Sequence, residues 1–367
     1  MAGSVLGHES SRSIDDRIRI AVVGAGDIGR RHMQAIAGNE KCSLCAIVDP
    51  MENGPLASRQ FGAPFFSDIV GMIDAIEPDG VVIAAPNSLH VSLADLCIDR
   101  RIPILIEKPI TENVASAYAL AARAEANGVP VLVGHHRRHN PVVRRAHQII
   151  DQGTLGEIAA VSATWMVRKP EEYFAVGWRK EPGGGPILIN LIHDIDNLRH
   201  LVGEIVAVQA VASNRWRGYP VEDTAAVILN FACGALGAIV LSDATPSPWS
   251  WELTAGEVTS YAYPKVAADC YLIAGSLAAM ALPSLRIWRH DGQQSWRSPL
   301  IESRLPVEEA DPLALQISHF LEVIQAGRPP LVGALDAART LEVTLAVTEA
   351  ALTRALVEIP VRHEGAM

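Results

Sequence analysis

The chain has 367 residues, enough for two domains with substantial cores, and its balance of 49% apolar to 20% charged residues is ordinary for a globular protein. A formal net charge of −10 argues against a nucleic-acid partner, because phosphate binding needs a basic face. No run of about 18 uncharged apolar residues is present to enter a membrane, and Cys42, Cys45, Cys97, Cys233 and Cys270 read as free thiols of a reducing cytoplasm.

Residues 1–16 lack the basic-then-apolar pattern of a signal peptide and read as a mobile leader. An apolar run over 18–23 then meets Gly24-Ala25-Gly26-Asp27-Ile28-Gly29, a strand turning through G-x-G-x-x-G into a helix. The first glycine allows the bend, the second lets backbone approach phosphate, and the third lets helix pack on strand. A dinucleotide's diphosphate would sit on the unpaired N–H groups and positive dipole of that helix start, which Asp27 and Ile28 open. A second apolar run, 44–48, ends in Asp49, 20 residues past Gly29, where a carboxylate accepts hydrogen bonds from the adenosine ribose. The same carboxylate repels a 2′-phosphate, residues 50–53 offer no cation, and Arg59 is the nearest arginine downstream. NAD is therefore expected over NADP. Cys42 and Cys45 form a C-x-x-C with no second pair and read as buried thiols, not a metal site.

Helices over 54–60 and 67–75 bracket a short strand at 64–66. Strands at 80–85, 103–106 and 129–134 then alternate with helices at 88–100 and 114–126. This is the doubly wound order of a parallel sheet covered on both faces, giving an α/β Rossmann domain over 17–137. Its chemistry belongs at the carboxyl ends of the strands. Pro86-Asn87-Ser88-Leu89-His90 follows one strand, with Asn87 and His90 expected to flank the cofactor and Ser88 able to cap the next helix. Glu107-Lys108-Pro109 follows the next strand. A lysine there can donate to a substrate oxygen or tune a neighbouring base, and a cis bond before Pro109 is plausible.

From 157 onward the runs are longer, richer in Val, Thr and Trp, and joined by hairpin-like turns. Residues 138–367 thus read as a second α/β domain on a large, mostly antiparallel open sheet. Strands at 225–232 and 235–241 flank Cys233-Gly234, and strands at 285–290 and 295–300 flank residues 291–294. Trp165, Arg168, Tyr173 and Phe174 lie in the segment expected to roof a substrate, aromatic faces suiting a sugar ring. Trp178-Arg179 and Gly183-Gly184-Gly185-Pro186 lead into an apolar helix that carries Asn190 and His193 on one face, with Asp194 and Asp196 pointing elsewhere. Histidine suits removal of a hydroxyl proton near neutral pH while hydride leaves the same carbon. Helices at 313–326 and 335–356 close the chain. An open sheet needs its exposed face covered, so a homodimer or homotetramer through it is expected.

In this order GAGDIG, Asp49, AAPNSLH, EKP, GHHRRHNP at 134–141, WR, and GGGP with its downstream histidine resemble the glucose–fructose oxidoreductase and inositol dehydrogenase family, Gfo/Idh/MocA. The resemblance covers nearly the whole chain. It implies NAD(P)-dependent transfer of hydride at a carbinol or carbonyl carbon, commonly of a sugar or cyclitol. It implies that Lys108 is the lysine of the catalytic set and His193 the acid/base; Asn190, on the same helix face as His193, is a neutral amide that can orient a substrate hydroxyl. Glu107, Trp178 and Arg179 would lie near the nicotinamide, and His136 at the boundary of cofactor and substrate. The basic cluster at 135–139, with Arg144 and Arg145, becomes a strand-to-helix connection, and no metal is needed. One departure stands out: inositol dehydrogenases usually carry an aspartate four residues before this histidine, where the present chain has Ile189. That departure bears on substrate identity. A dihydrodiol or other non-carbohydrate ring alcohol is one alternative. A non-catalytic NAD-binding sensor is the other, against which the presence of both Lys108 and His193 argues.

Overall fold

The computed structural model describes residues 17–257 and 265–360; the expected leader, 1–16, lies outside the described residues. Six strands form the first sheet: β1 (Ile18–Val23), β2 (Cys42–Val48), β3 (Phe65–Phe66), β4 (Gly80–Ile83), β5 (Ile104–Ile106) and β6 (Val131–Val133). All pair in parallel, in the order β3-β2-β1-β4-β5-β6. Val81, Val82, Ile104, Leu105 and Ile106 are fully buried, as strands covered on both faces require. The cover comes from α1 (Asp27–Ala37), α2 (Asn53–Phe61), α3 (Ile69–Ile76), α4 (His90–Asp99) and α5 (Val114–Ala126). Asp68 and Asn113 cap α3 and α5 by accepting from the Gly71 and Ser116 N–H groups. Ser88 does not cap α4: it lies inside a 3-10 turn, Asn87–Leu89, and Leu89 takes the cap position. The strand order reverses between β1 and β4, which opens a crevice at their carboxyl ends.

After α6 (Pro141–Asp151) comes β7 (Ile158–Met166), then two 3-10 turns, Glu171–Ala175 and Gly177–Lys180. A π-turn, Ile187–Leu191, leads into α7 (Ile192–Val202). The second sheet is completed by β8 (Ile205–Ser213), β9 (Thr224–Phe231), β10 (Leu236–Ser242), β11 (Tyr271–Gly275), β12 (Ala279–Leu282), β13 (Arg286–His290), β14 (Leu300–Arg304) and β15 (Val357–Glu358), with α8 (Trp251–Ala255) after β10. Its order is β14-β13-β12-β11-β7-β10-β9-β8-β15, antiparallel throughout except where β7 meets β10. The first expected hairpin is present, turning through Gly234 at φ 90°. In the second, the return strand starts at Leu300 and not at 295, because Ser295 turns back to bind the Arg297 and Ser298 N–H groups.

α9 (Pro312–Ala326) and α10 (Ala334–Thr353) close the chain. Ile317, Phe320 and Leu321 of α9 pack in one core with Ile20 and Val22 of β1. α10 serves both halves: Ala337, Ala338 and Leu341 join the first sheet's core, and Val343, Ala346, Val347 and Ala350 join the second's. No helix among the described residues is long and apolar enough to cross a membrane.

Candidate active site

The crevice begins with the glycine turn between β1 and α1. A Cβ at Gly24, whose φ is +99°, would lie 2.4 Å from the Ala84 carbonyl oxygen, and one at Gly29 would lie 2.0 Å from the Gly24 oxygen. Those two positions are closed by packing. At Gly26 nothing lies within 4 Å, so backbone there is open to an approaching phosphate. Gly26 offers no side-chain cap, leaving the N–H groups at Asp27 and Ile28 to face the same space. Asp49, at the end of β2, accepts from the Ala25 N–H and the Met51 N–H, both at 2.8 Å. Each carboxylate oxygen keeps a lone pair for a ribose hydroxyl. These residues fit a dinucleotide.

Across the crevice, Pro86 is exposed and Asn87 half-buried on the turn after β4. His90 corrects the sequence expectation. Its ring is buried, with Nδ1 3.0 Å from the Pro109 carbonyl oxygen and Nε2 3.0 Å from that of Ala85. Both nitrogens face backbone carbonyl oxygens, so His90 packs between two loops and turns neither nitrogen to a cofactor. Glu107 is also buried, and its Oε1 accepts from His32 Nε2 of α1 at 2.7 Å. Burial alone would raise its pKa, but the His32 hydrogen bond and the charges of His32 and Lys108 outweigh it and hold the carboxyl at about 2. No motif pointed to His32.

Lys108 follows, joined to Pro109 by a cis bond. Its Nζ donates to the Ile189 carbonyl oxygen at 3.1 Å, which ties the end of β5 to the π-turn. Burial brings its ammonium down to about 8, with Glu107 opposing. On that π-turn the Asn190 Oδ1 is buried without a partner, and one turn later so is the His193 Nδ1. Burial first, then the cationic neighbours Lys108 and Arg137, keep His193 well below the usual histidine range and therefore neutral. The His136 ring stands 5.3 Å from that of His193, centroid to centroid. The structure thus brings Lys108, His136 and the Asn190–His193 pair together from three separate stretches of chain.

Asp194 and Asp196 face away, as their helix positions require. Asp194 holds Arg137 at 2.8 Å, and Asp196 takes Arg138 through both its oxygens. Trp165 and Phe174 are 1% and 2% exposed, so neither keeps a face for a substrate. Trp165 packs in the second sheet's core with its Nε1 on Glu252, and Phe174 lies under Arg217 and Tyr219. Tyr173 stands between two cations, Arg179 at 4.0 Å and Lys169 at 4.7 Å from its ring centre. Trp178 is exposed, and it and Arg179 rest on Gly184, where a Cβ would lie 2.4 Å from the Trp178 oxygen. Arg168 turns to a separate cleft of about 270 Å³ shared with Trp216 and Tyr219. Lys169, which carries no motif signal, is buried with its ammonium 3.4 Å from Asp243 and no hydrogen bond.

Two family models match consecutive stretches. The one for an oxidoreductase family with an NAD-binding Rossmann fold matches 18–135, and the one for the GFO/IDH/MocA C-terminal domain matches 143–258. Among curated relatives, the rhizopine catabolism protein MocA of Rhizobium meliloti is 33% identical over 190 residues, 51% of this chain and 58% of that protein. The chain therefore spans little more than half the length of that relative. The scyllo-inositol 2-dehydrogenase (NAD(+)) of Bacillus subtilis is 26% identical over 353 residues, 91% of this chain and 94% of that protein. A solved myo-inositol dehydrogenase of Corynebacterium glutamicum superposes with a TM-score of 0.71 at 25% identity, covering 94% of this chain and 100% of that one. Matched over 18–135 and 143–258, the chain belongs to the Gfo/Idh/MocA family of oxidoreductases and carries that family's NAD-binding Rossmann domain.

Proposed function

We propose that the chain is an NAD-dependent dehydrogenase acting on a CH–OH carbon of a sugar, cyclitol or related polyol. The observation that carries this reading is the meeting of Lys108, Asn190 and a neutral His193 beside the dinucleotide crevice, with buried polar atoms left unpartnered at Asn190 and His193. Bound NAD would supply the nicotinamide C4 that takes hydride. Gly26, Asp27 and Ile28 would hold its diphosphate through backbone N–H groups, and Asp49 its ribose, which favours NAD over NADP. The Lys108 ammonium uses one donor on Ile189 and has two more for the reacting oxygen. Asn190 Oδ1 would accept from a second hydroxyl and fix the ring. His193 would remove the proton of the reacting hydroxyl. The dehydrogenases of scyllo-inositol and myo-inositol among the relatives support the substrate class.

The test is a screen of sugars, inositols and ring diols with NAD and then NADP, followed by absorbance of the reduced nicotinamide. Turnover with NAD that Lys108→Ala and His193→Ala each lower by about 100-fold or more is expected. Turnover that survives both substitutions would remove the assigned roles. Tight NAD binding with no turnover on any class would favour a sensor.

We also propose self-association through the second sheet. Val211, Ile228, Leu236, Val240 and Leu272 are exposed on one face of neighbouring strands, joined by direct register pairs such as Val240 with Ala226 and Ala226 with Val211. A contiguous apolar face of this kind calls for a cover.

A further inference from the structure

A dehydrogenase that oxidises an alcohol hands one proton to its base for each turnover, and His193 is poorly placed to shed it. The ring is 7% exposed and its Nδ1 is sealed from solvent. The charges that bear on it most strongly are cations, Lys108 from the end of β5 and Arg137 from the segment after β6, where the His136 and His135 rings also stand beside it. A further positive charge on His193 is unwelcome there, so the proton needs a way out.

The neighbouring ring is His136, 5.3 Å away and inclined at 70°. Its side chain is 16% exposed, more open to solvent than His193, and its Nε2 is 3.7 Å from Oε2 of Glu257, just beyond α8. That oxygen is buried and has no hydrogen bond. The rest of the carboxylate is fixed: Oε1 accepts from the Asn140 amide, and Arg137 Nε stands 3.8 Å from Oε2. Burial pushes the Glu257 carboxyl up, but His136 and Arg137 outweigh it and keep it ionised. Glu107 from the turn after β5 and His139 from its own turn also bear on His136.

We propose that His136, positioned by Glu257, takes the proton from His193 and passes it to solvent, so that a carboxylate from beyond α8 serves a histidine that has none facing it on its own helix. The inference rests on the dehydrogenase reading. In each turnover the substrate O–H bond breaks and its proton joins a His193 ring nitrogen, while the C–H hydrogen leaves with two electrons to the cofactor. An N–H of the protonated His193 then breaks as one forms on His136, and His136 releases that proton to solvent, which returns both rings to their charge before turnover. His136 and Glu257 act through His193 and need not touch substrate.

The variants are His136→Asn, Glu257→Gln and the conservative Glu257→Asp in the full chain. Four quantities are measured: kcat and KM across pH, kcat in H2O against D2O, recovery of kcat with added imidazole, and NAD affinity by calorimetry without substrate. The expected result is a fall in kcat of about 10- to 100-fold for His136→Asn and Glu257→Gln. KM and NAD affinity should stay within about twofold, the D2O effect should grow, imidazole should restore His136→Asn, and Glu257→Asp should keep most of the rate. Loss of NAD affinity with kcat intact would make His136 a cofactor contact and overturn the relay. So would a slowed His136→Asn that imidazole does not restore, or unchanged kinetics in both variants. Wild-type protein that turns over no polyol would instead overturn the dehydrogenase reading, and the relay with it.

Discussion

An ammonium at the end of a buried strand gives up its proton more readily than one in water, and Lys108 does so at about 8. His193 lies on the other side of neutrality, held well below 6.5 by burial and by its cationic neighbours. Catalysis by the proposed route needs Lys108 protonated and His193 neutral. With saturating NAD, kcat/KM for alcohol oxidation should therefore fall as pH rises through about 8 and stay level on the acid side until well below 6.5. Lys108→Arg, which does not titrate in this range, should remove the alkaline limb; a limb that persists unmoved would assign it to another group. At this scale the sequence was readable where a residue ends a strand, as Asp49 and Lys108 do, because strand ends in an α/β sheet converge. It was silent on His32, Lys169 and Glu257, whose partners lie far along the chain and leave no periodic trace. His90, Trp165 and Phe174 misled for a related reason: residue type suggests a contact, but only packing shows that backbone or core has already claimed the side chain.

The glycine turn separates two effects that are usually confounded. Gly29→Ala would drive a Cβ to 2.0 Å from the Gly24 oxygen, so helix and strand must part. That substitution should lower the melting temperature by several degrees, since backbone cannot yield as a side-chain tip can. Gly26→Ala meets nothing within 4 Å and has an extended backbone that alanine adopts readily. It should leave the melting temperature almost unchanged while weakening NAD by about tenfold or more, because the added methyl stands where phosphate approaches. Equal losses of stability in the two variants, or no loss of NAD affinity in Gly26→Ala, would count against the cradle. Among the elements, the parallel strands were legible as short apolar runs between helices. The parallel pairing of β7 with β10 was not, because alternation fixes which face is buried and says nothing about strand direction. The π-turn before α7 was likewise hidden, since it preserves the apolar pattern while opening the Ile189 carbonyl to Lys108.

On the whole molecule, the second sheet presents one face to the core and the other, with Val211, Ile228, Leu236, Val240 and Leu272, to solvent. Light scattering during size exclusion should show a dimer or tetramer at micromolar concentration, and Ile228→Lys with Val240→Lys should shift it towards monomer with the fold intact. A clean monomer in the unsubstituted chain would end the proposal. The two-domain division was legible from the change in run length and composition, but the chain's return was not: α10 is a uniformly apolar-patterned helix whose residues divide between two cores. That division has a thermodynamic consequence. Neither sheet can lose its packing without exposing one end of the same 20-residue helix, so melting of one half strips the other of part of its core. The two halves are thereby coupled into one cooperative unit, and a ligand held only by the first sheet also raises the temperature at which the second comes apart.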